Sequence, residues 1–458
     1  MDSHKKAQMA GIMLPALPIP ARSETFKTEW GFDGKQQGVN EMTGENTKTS
    51  FFDRPNVEKG TIHVGQGIPF GIECVSNPAV GIGGVYGTWG ESYDNESLPS
   101  FLEQRLGHPI PANEQLNLSE LGFRNRHHVP LNLTNEEHTQ LEVEIGTKFL
   151  SEAIKACNWQ PSEVEAVLIG MSAPVTEDYL NQITKAAGIP ESALKVAIHK
   201  ACDGSTSSLH LALNPDLPEN KQLDHNIADS LYGKKVLVGG IEGLSRFIVS
   251  SHDANALQLF GNAAGILGVI PGKTMKFLAG TSREVFDDEG VLQVAMYYPH
   301  TKQKTDGSTN VDVTEPFTNN IRVAGLMHEP EDGSSIAMTG PMGMVKLFVR
   351  TGVQVVRDVY AAYQSRLDEL GMAGKSLAVA IVHHANYKIN KLKEKHLQNL
   401  GIVLPMPWLL SEFGNVSAAS NMIAFLRELP NMKPFDHILI DGFGAGTYYD
   451  ALAVELGG

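Results

Sequence analysis

Three residue types that together can handle an acyl thioester stand at the ends of predicted secondary-structure elements in this chain. Cys202 lies in Ala201-Cys202-Asp203-Gly204-Ser205, His383 in His383-His384-Ala385-Asn386, and Asn415 in Gly414-Asn415-Val416-Ser417-Ala418-Ala419-Ser420. A cysteine where an apolar strand turns into a helix meets the positive helix N-terminus, which favours thiolate, and small residues after it let a substrate approach. An imidazole at the carboxyl end of a strand faces the crevice of an α/β sheet. There it can hydrogen-bond a thioester carbonyl or hold a thiolate as an ion pair. The Asn415 amide is a donor suited to a developing enolate or oxyanion, and the glycines between 442 and 446 leave room for a backbone N–H to act similarly. Each residue also has a plainer use: a buried structural cysteine, a satisfied core histidine, a helix N-cap. His384 is adjacent to His383 and must face elsewhere, while His127-His128 beside Arg124 and Arg126 read as a solvated or structural pair.

The elements that must position these residues follow from apolar periodicity. An apolar strand over 194–198 ends just before Cys202, and a helix over 202–213 and a strand over 235–239 follow it. In the second half a strand over 377–382 ends at His383, followed by helices over 387–400 and 415–429 and a strand over 437–442. Long amphipathic helices are expected over 136–158, with Leu141, Val143, Ile145, Phe149 and Ile154 near helical spacing, and over 342–370. Strands alternating with helices imply mostly parallel sheets covered on both faces. The shared order, a small polar helix start and then a strand, reads as an internal duplication with Cys202 and Asn415 at equivalent helix N-termini. The expected organisation is a loop-like extension over 1–78, an N-terminal half over 79–274 and a C-terminal half over 275–458. The second half carries an irregular insertion, lid or interface element at about 275–335.

Composition narrows the classes. The 458 residues carry a net charge of −15, which argues against nucleic-acid binding by the surface as a whole. Three widely spaced cysteines, Cys74, Cys157 and Cys202, suggest neither a disulfide framework nor a CxxC site and fit a reducing compartment. The histidines fall at no metal-ligand spacing, so no metal is assigned, and no P-loop or GxGxxG occurs. Basic residues precede a short apolar run near the N-terminus, but Pro15, Pro18 and Pro20 interrupt it. The expectation is a cytoplasmic protein without a membrane span.

Taken together, these segments resemble the 3-oxoacyl-acyl-carrier-protein synthase III family of thiolase-like condensing enzymes. His383–Asn386 resembles that family's His-Gln-Ala-Asn, Gly414–Ser420 its Gly-Asn-Thr-Ser-Ala-Ala-Ser, residues 442–446 its terminal Phe-Gly-Gly-Gly, and 121–127 its Thr-Gly-Ile-Arg-Glu-Arg-His. The resemblance implies a five-layered α/β/α/β/α fold from two duplicated halves, here with an N-terminal extension, and a homodimer. It implies acyl transfer from coenzyme A or an acyl carrier protein to Cys202, with no further cofactor. Decarboxylative Claisen condensation with a malonyl thioester follows, with His383 and Asn415 holding the thioester oxygen. The backbone N–H groups of Cys202 and Ala445 match the family's oxyanion hole. Lys388 falls where the family meets its acidic carrier, and Lys391 and Lys395 extend the same helix face. Three departures fit specialised lipid or polyketide biosynthesis at least as well as a housekeeping role: Leu116 near the position of the family's adenine-stacking tryptophan, Asn262 in place of an Asp, and the extension before residue 80. The alternatives are an acyltransferase that passes the group to an alcohol or amine without condensation, and a non-catalytic partner subunit of a biosynthetic complex.

Overall fold

The computed structural model describes residues 57–65, 67–172, 174–222, 226–284, 292–294, 310–313, 320–324, 336–338, 345–445 and 448–458. The N-terminal basic and apolar run, the rest of the extension before 57 and much of the expected insertion lie outside the described residues. In chain order the first strands are β1 (Val57–Ile62), β2 (Ile68–Asn77), β3 (Ile82–Trp89), β4 (Glu91–Asp94), β5 (Asn125–His128), β6 (Ala166–Gly170), β7 (Leu194–His199), β8 (Val236–Glu242) and β9 (Ala263–Val269). They continue as β10 (Met275–Glu284), β11 (Leu292–Val294), β12 (Asn310–Val313), β13 (Asn320–Ala324), β14 (Ile336–Met338), β15 (Leu377–Val382), β16 (His437–Gly444) and β17 (Tyr448–Leu456).

Two sheets carry the fold. The first has nine strands in the order β1-β2-β3-β9-β8-β6-β7-β13-β12, the second four in the order β10-β17-β16-β15. Their central strands are apolar runs buried at every position, as in β8 and β16, the pattern of strands covered on both faces. The helices Gly204–Leu213 and Ser420–Glu428 are buried along almost their whole length. Each packs on strands of both sheets, so together they form the middle layer. Asn135–Ala156 packs on the outer face of the first sheet and Gly352–Glu369 on the outer face of the second. Asn135–Ala156 opens with a capping box between Thr134 and Glu137 and buries Leu141, Ile145 and Phe149 at four-residue spacing. The result is five layers, helix, sheet, helix, sheet, helix.

The halves repeat one order. A long outer helix, a strand, a second strand position, a tight turn, a buried helix and two antiparallel strands run from Asn135 to Val269 and again from Gly352 to Leu456. In the second copy, residues 402–406 occupy the second strand position, where the Ala380 N–H donates to the Pro405 carbonyl at 2.9 Å.

Three expectations need correction. The sheets are mixed, not mostly parallel: β6, β7, β8 and β13 pair in parallel, while β2/β3, β8/β9 and β16/β17 are antiparallel. Residues 78–81 and 445–447 are too short for a parallel crossover, so their flanking strands must return antiparallel. Residues 57–77 were expected in a loop-like extension, yet β1 and β2 add an antiparallel ribbon to the first sheet beside β3. Residues 275–284, expected in an irregular insertion, form β10, which pairs with β17 along its length.

Candidate active site

The nucleophile turn sits where β7 runs into the buried helix Gly204–Leu213. Its Ala201 has φ +46°, a left-handed conformation that costs about 1 kcal/mol or more in a non-glycine residue. Ser417 has φ +44° at the start of the matching turn before Ser420–Glu428. These two residues align the repeats. The counterpart of Cys202 is therefore Ala418, not Asn415 as the sequence suggested, because Asn415 precedes the turn. The two turns touch: a Cβ on Gly204 would stand 3.0 Å from the Ala418 Cβ and 2.8 Å from the Gly170 Cα. Only small side chains allow that approach, and it brings residues of both halves to one point.

Cys202 is half-buried, and the Ser417 hydroxyl donates to its sulfur at 3.3 Å. Burial, with help from the nearby Glu242 carboxylate, pushes its thiol up to about 12. The Ser417 hydroxyl and the backbone N–H groups of Cys202 and Ala445 oppose this by hydrogen-bonding the sulfur. The two backbone donors expected to form an oxyanion hole thus converge on the nucleophile. Gly444 makes this possible, since a Cβ there would fall 2.3 Å from the Lys200 carbonyl oxygen and 3.2 Å from the Cys202 nitrogen. Gly446 lies outside the described residues.

His383 follows β15 and is buried, with its Nδ1 2.6 Å from the Ser420 Oγ and its ring edge-on to Phe443 at 4.8 Å. Burial, with help from His384 and the Lys393 ammonium, lowers its pKa to about 3, so the ring is neutral at physiological pH. Ser420 also donates to the Asn421 Oδ1, at 3.2 Å. With Nδ1 turned to Ser420, Nε2 is the ring nitrogen left for a substrate. Asn415 is fixed by its own turn. Its Oδ1 accepts the Ser417 N–H at 3.0 Å, so the Nδ2 amide, which has no hydrogen-bond partner among the described residues, is the available donor. His384 is structural: its Nδ1 bonds the Val382 carbonyl at 2.7 Å, and its Nε2 accepts the Leu409 N–H at 3.1 Å.

Other candidate residues part from this centre. Lys388, Lys391 and Lys395 share one face of Tyr387–Asn399, but Lys388 pairs with Glu120 and Lys391 with Glu394, so the face is mixed in charge. His127 and His128 are buried, not solvated, and His128 stacks on Phe101 at 5.2 Å. Leu116 packs against an apolar cluster. Asn262 is buried and uses both ends of its amide, accepting the Ser245 N–H at 2.9 Å and donating to the Trp89 carbonyl at 3.4 Å, which an Asp carboxylate could not do. Among the described residues no group of three or more His, Cys, Asp or Glu could hold a metal ion, and no helix is long and apolar enough to cross a membrane.

Sequence reasoning missed Ser172, Ser417 and Glu242. Glu242 ends β8 and Ser172 lies just beyond β6; these strands pair in parallel with Gly170 opposite Gly240, so both residues reach the edge that holds Cys202. The strand-end rule that selected His383 would have found them, had it been applied to β6 and β8.

Comparison with known proteins fits this geometry. Residues 367–456 match the family described as 3-oxoacyl-[acyl-carrier-protein] synthase III C terminal. The beta-ketoacyl-[acyl-carrier-protein] synthase III of Streptococcus equi subsp. zooepidemicus is 24% identical over 268 residues, 56% of this chain and 66% of that protein. The chain thus spans just under two thirds of the length of the first such relatives. The solved 3-oxoacyl-[acyl-carrier-protein] synthase III of Aquifex aeolicus superposes with a TM-score of 0.52 at 19% identity, covering 86% of this chain and 100% of that one. A type III polyketide synthase of Streptomyces coelicolor, a tetrahydroxynaphthalene synthase, superposes with a TM-score of 0.53 at 14% identity, covering 80% and 96%. The fold is therefore the thiolase-like fold of these two solved structures. In sequence, the C-terminal match and the curated relatives, at 24–28% identity, make the chain similar to synthase III proteins.

Proposed function

We propose that this protein is a synthase III-like condensing enzyme that takes an acyl group onto Cys202 and extends it by decarboxylative Claisen condensation with a malonyl or related thioester. The observation that carries this reading is the convergence at Cys202 of its own N–H and that of Ala445. The sulfur attacks the donor carbonyl, these two N–H groups receive the developing oxyanion, and the donor thiol leaves. The malonyl thioester then loses carbon dioxide. Its enolate oxygen is held by the Asn415 amide and by His383 with its proton on Nε2, the tautomer that Ser420 supports when its hydroxyl turns from Asn421 to Nδ1, and its carbon attacks the acyl-cysteine, releasing a β-ketoacyl thioester and Cys202. A neutral His383 suits this step, because it donates a hydrogen bond without surrendering a proton to the enolate. The same reading takes an acyl-CoA or acyl-carrier-protein thioester as donor and a homodimer as the working form, and places the enzyme in fatty-acid or polyketide biosynthesis.

The test is intact-protein mass spectrometry after incubation with acyl-CoA and acyl-carrier donors. The wild type should gain one acyl group and Cys202→Ala none. Acylation that persists in the variant would contradict the assignment.

A further inference from the structure

The proposed chemistry requires Cys202 to lose a proton, and the structure gives His383 no hydrogen bond to its sulfur. Instead, an unbroken chain of polar atoms leads from the sulfur into the protein. Ser417 Oγ lies 3.3 Å from Cys202 Sγ, Ser172 Oγ lies 2.7 Å from Ser417 Oγ, and Glu242 Oε1 lies 2.6 Å from Ser172 Oγ. Ser172, Ser417 and Glu242 are all buried. We infer that Cys202 discharges its thiol proton to Glu242 along the Ser417–Ser172 relay, which makes Glu242 the terminal proton acceptor for acylation. The inference rests on the reading of Cys202 as the acylated residue.

Hydrogen counting supports it. With Glu242 ionised, Ser172 donates to the carboxylate, Ser417 to Ser172, and the thiol to Ser417. With Cys202 as thiolate, each proton has moved one place: Glu242 donates to Ser172, Ser172 to Ser417, and Ser417 to the sulfur. Both states use the same heavy-atom contacts, and every hydroxyl is satisfied in each. In the acylation step the thiolate bonds the donor carbonyl carbon, the carbon–sulfur bond of the donor breaks, and the relay runs back so that Ser417 protonates the departing thiolate. No oxidant or other reactant is required. Glu242 is suited to the end position, since burial raises its pKa to about 7 while the hydroxyl and N–H of Ser172 and the Ala418 N–H hold the carboxylate in place. The other titratable groups facing it are Arg246, itself paired with Glu142, and Tyr179.

A rival role makes the opposite prediction. As a fixed negative charge, Glu242 raises the Cys202 pKa, so neutralising it would make the cysteine more reactive near pH ~7. The experiment is the pH profile of Cys202 alkylation by iodoacetamide, read on the Cys202 peptide by mass spectrometry. It needs no acyl substrate, so it stands or falls separately from the condensation reading. For the wild type we expect an inflection near neutral pH that reports ionisation of the acceptor Glu242 and not of the buried thiol itself. For Glu242→Gln and Ser172→Ala we expect a rate at pH ~7 at least about tenfold lower, with the inflection displaced by one unit or more to alkaline pH. Glu242→Asp should restore part of the neutral inflection. Faster alkylation in Glu242→Gln, or a wild-type profile in folded Ser172→Ala, would overturn the relay.

Discussion

Replacing Gly444 by alanine puts a methyl group into the contact between β16 and the nucleophile turn. The added carbon would lie 2.3 Å from the Lys200 carbonyl oxygen, 3.0 Å from the Asp203 nitrogen and 3.2 Å from the Cys202 nitrogen. All three neighbours are backbone atoms, so none can rotate aside. Ordinary contact begins at 3.4 Å, so the strand end and the turn must part by about 1 Å. Overpacking of this kind costs about 1–3 kcal/mol of stability. The same displacement draws the Ala445 N–H away from Cys202, and a misplacement of about 1 Å in a reacting centre costs on the order of a hundredfold in rate. The assay pairs thermal unfolding with single-turnover loading of Cys202 from an acyl thioester, followed by intact mass. Gly444→Ala should melt below the wild type and load about a hundredfold more slowly. Wild-type loading would refute the claim that this contact sets the backbone donors around the sulfur.

Other perturbations test the surroundings. Lys393→Met leaves the buried Asp441 carboxylate without its buried ammonium partner and should cost about 3–5 kcal/mol in urea unfolding, largely recovered by adding Asp441→Asn. Ser420→Ala removes the hydroxyl that bonds His383 Nδ1 and should slow condensation by roughly tenfold or more while Cys202 loading changes little. His383 adds an acid-sensitive component to stability. Its pKa is about 6.5 unfolded and about 3 folded, so between these values only the unfolded chain takes up the proton, and stability falls as pH falls by about 1.4 kcal/mol per unit. Denaturant titrations between pH ~6 and ~4 should show His383→Gln with a slope flatter by that amount.

Much of this was legible in the sequence because the signals were local. The apolar runs that became β7, β8, β15 and β16 bounded Cys202 and His383 correctly, and the capped outer helix followed from apolar spacing alone. What escaped depends on pairing between distant segments. Whether β2 pairs with β3 or hangs free is invisible in its own composition, and β10 finds β17 across almost the whole C-terminal half. Asn415 looked like the counterpart of Cys202 because both open small polar segments. The match of Ala201 with Ser417 is a matter of backbone dihedrals, and neither residue type announces a left-handed conformation. Glu242 and Ser172 were overlooked because each is unremarkable alone, and only the parallel register of β6 and β8 brings them together. The basic helix face lost its force once Glu120, distant in sequence, was found beside Lys388.

The central claim is that Cys202 is loaded and then extended with a carbon–carbon bond built on an enolate held by Asn415. Its most direct test is to preload the enzyme with an acyl group, add a malonyl thioester, and measure carbon dioxide and β-ketoacyl thioester together. The wild type should release both in equal amounts, and Asn415→Ala should accept the acyl group yet release neither. Loading without carbon dioxide from the wild type would contradict condensation and leave simple acyl transfer to another acceptor as the activity.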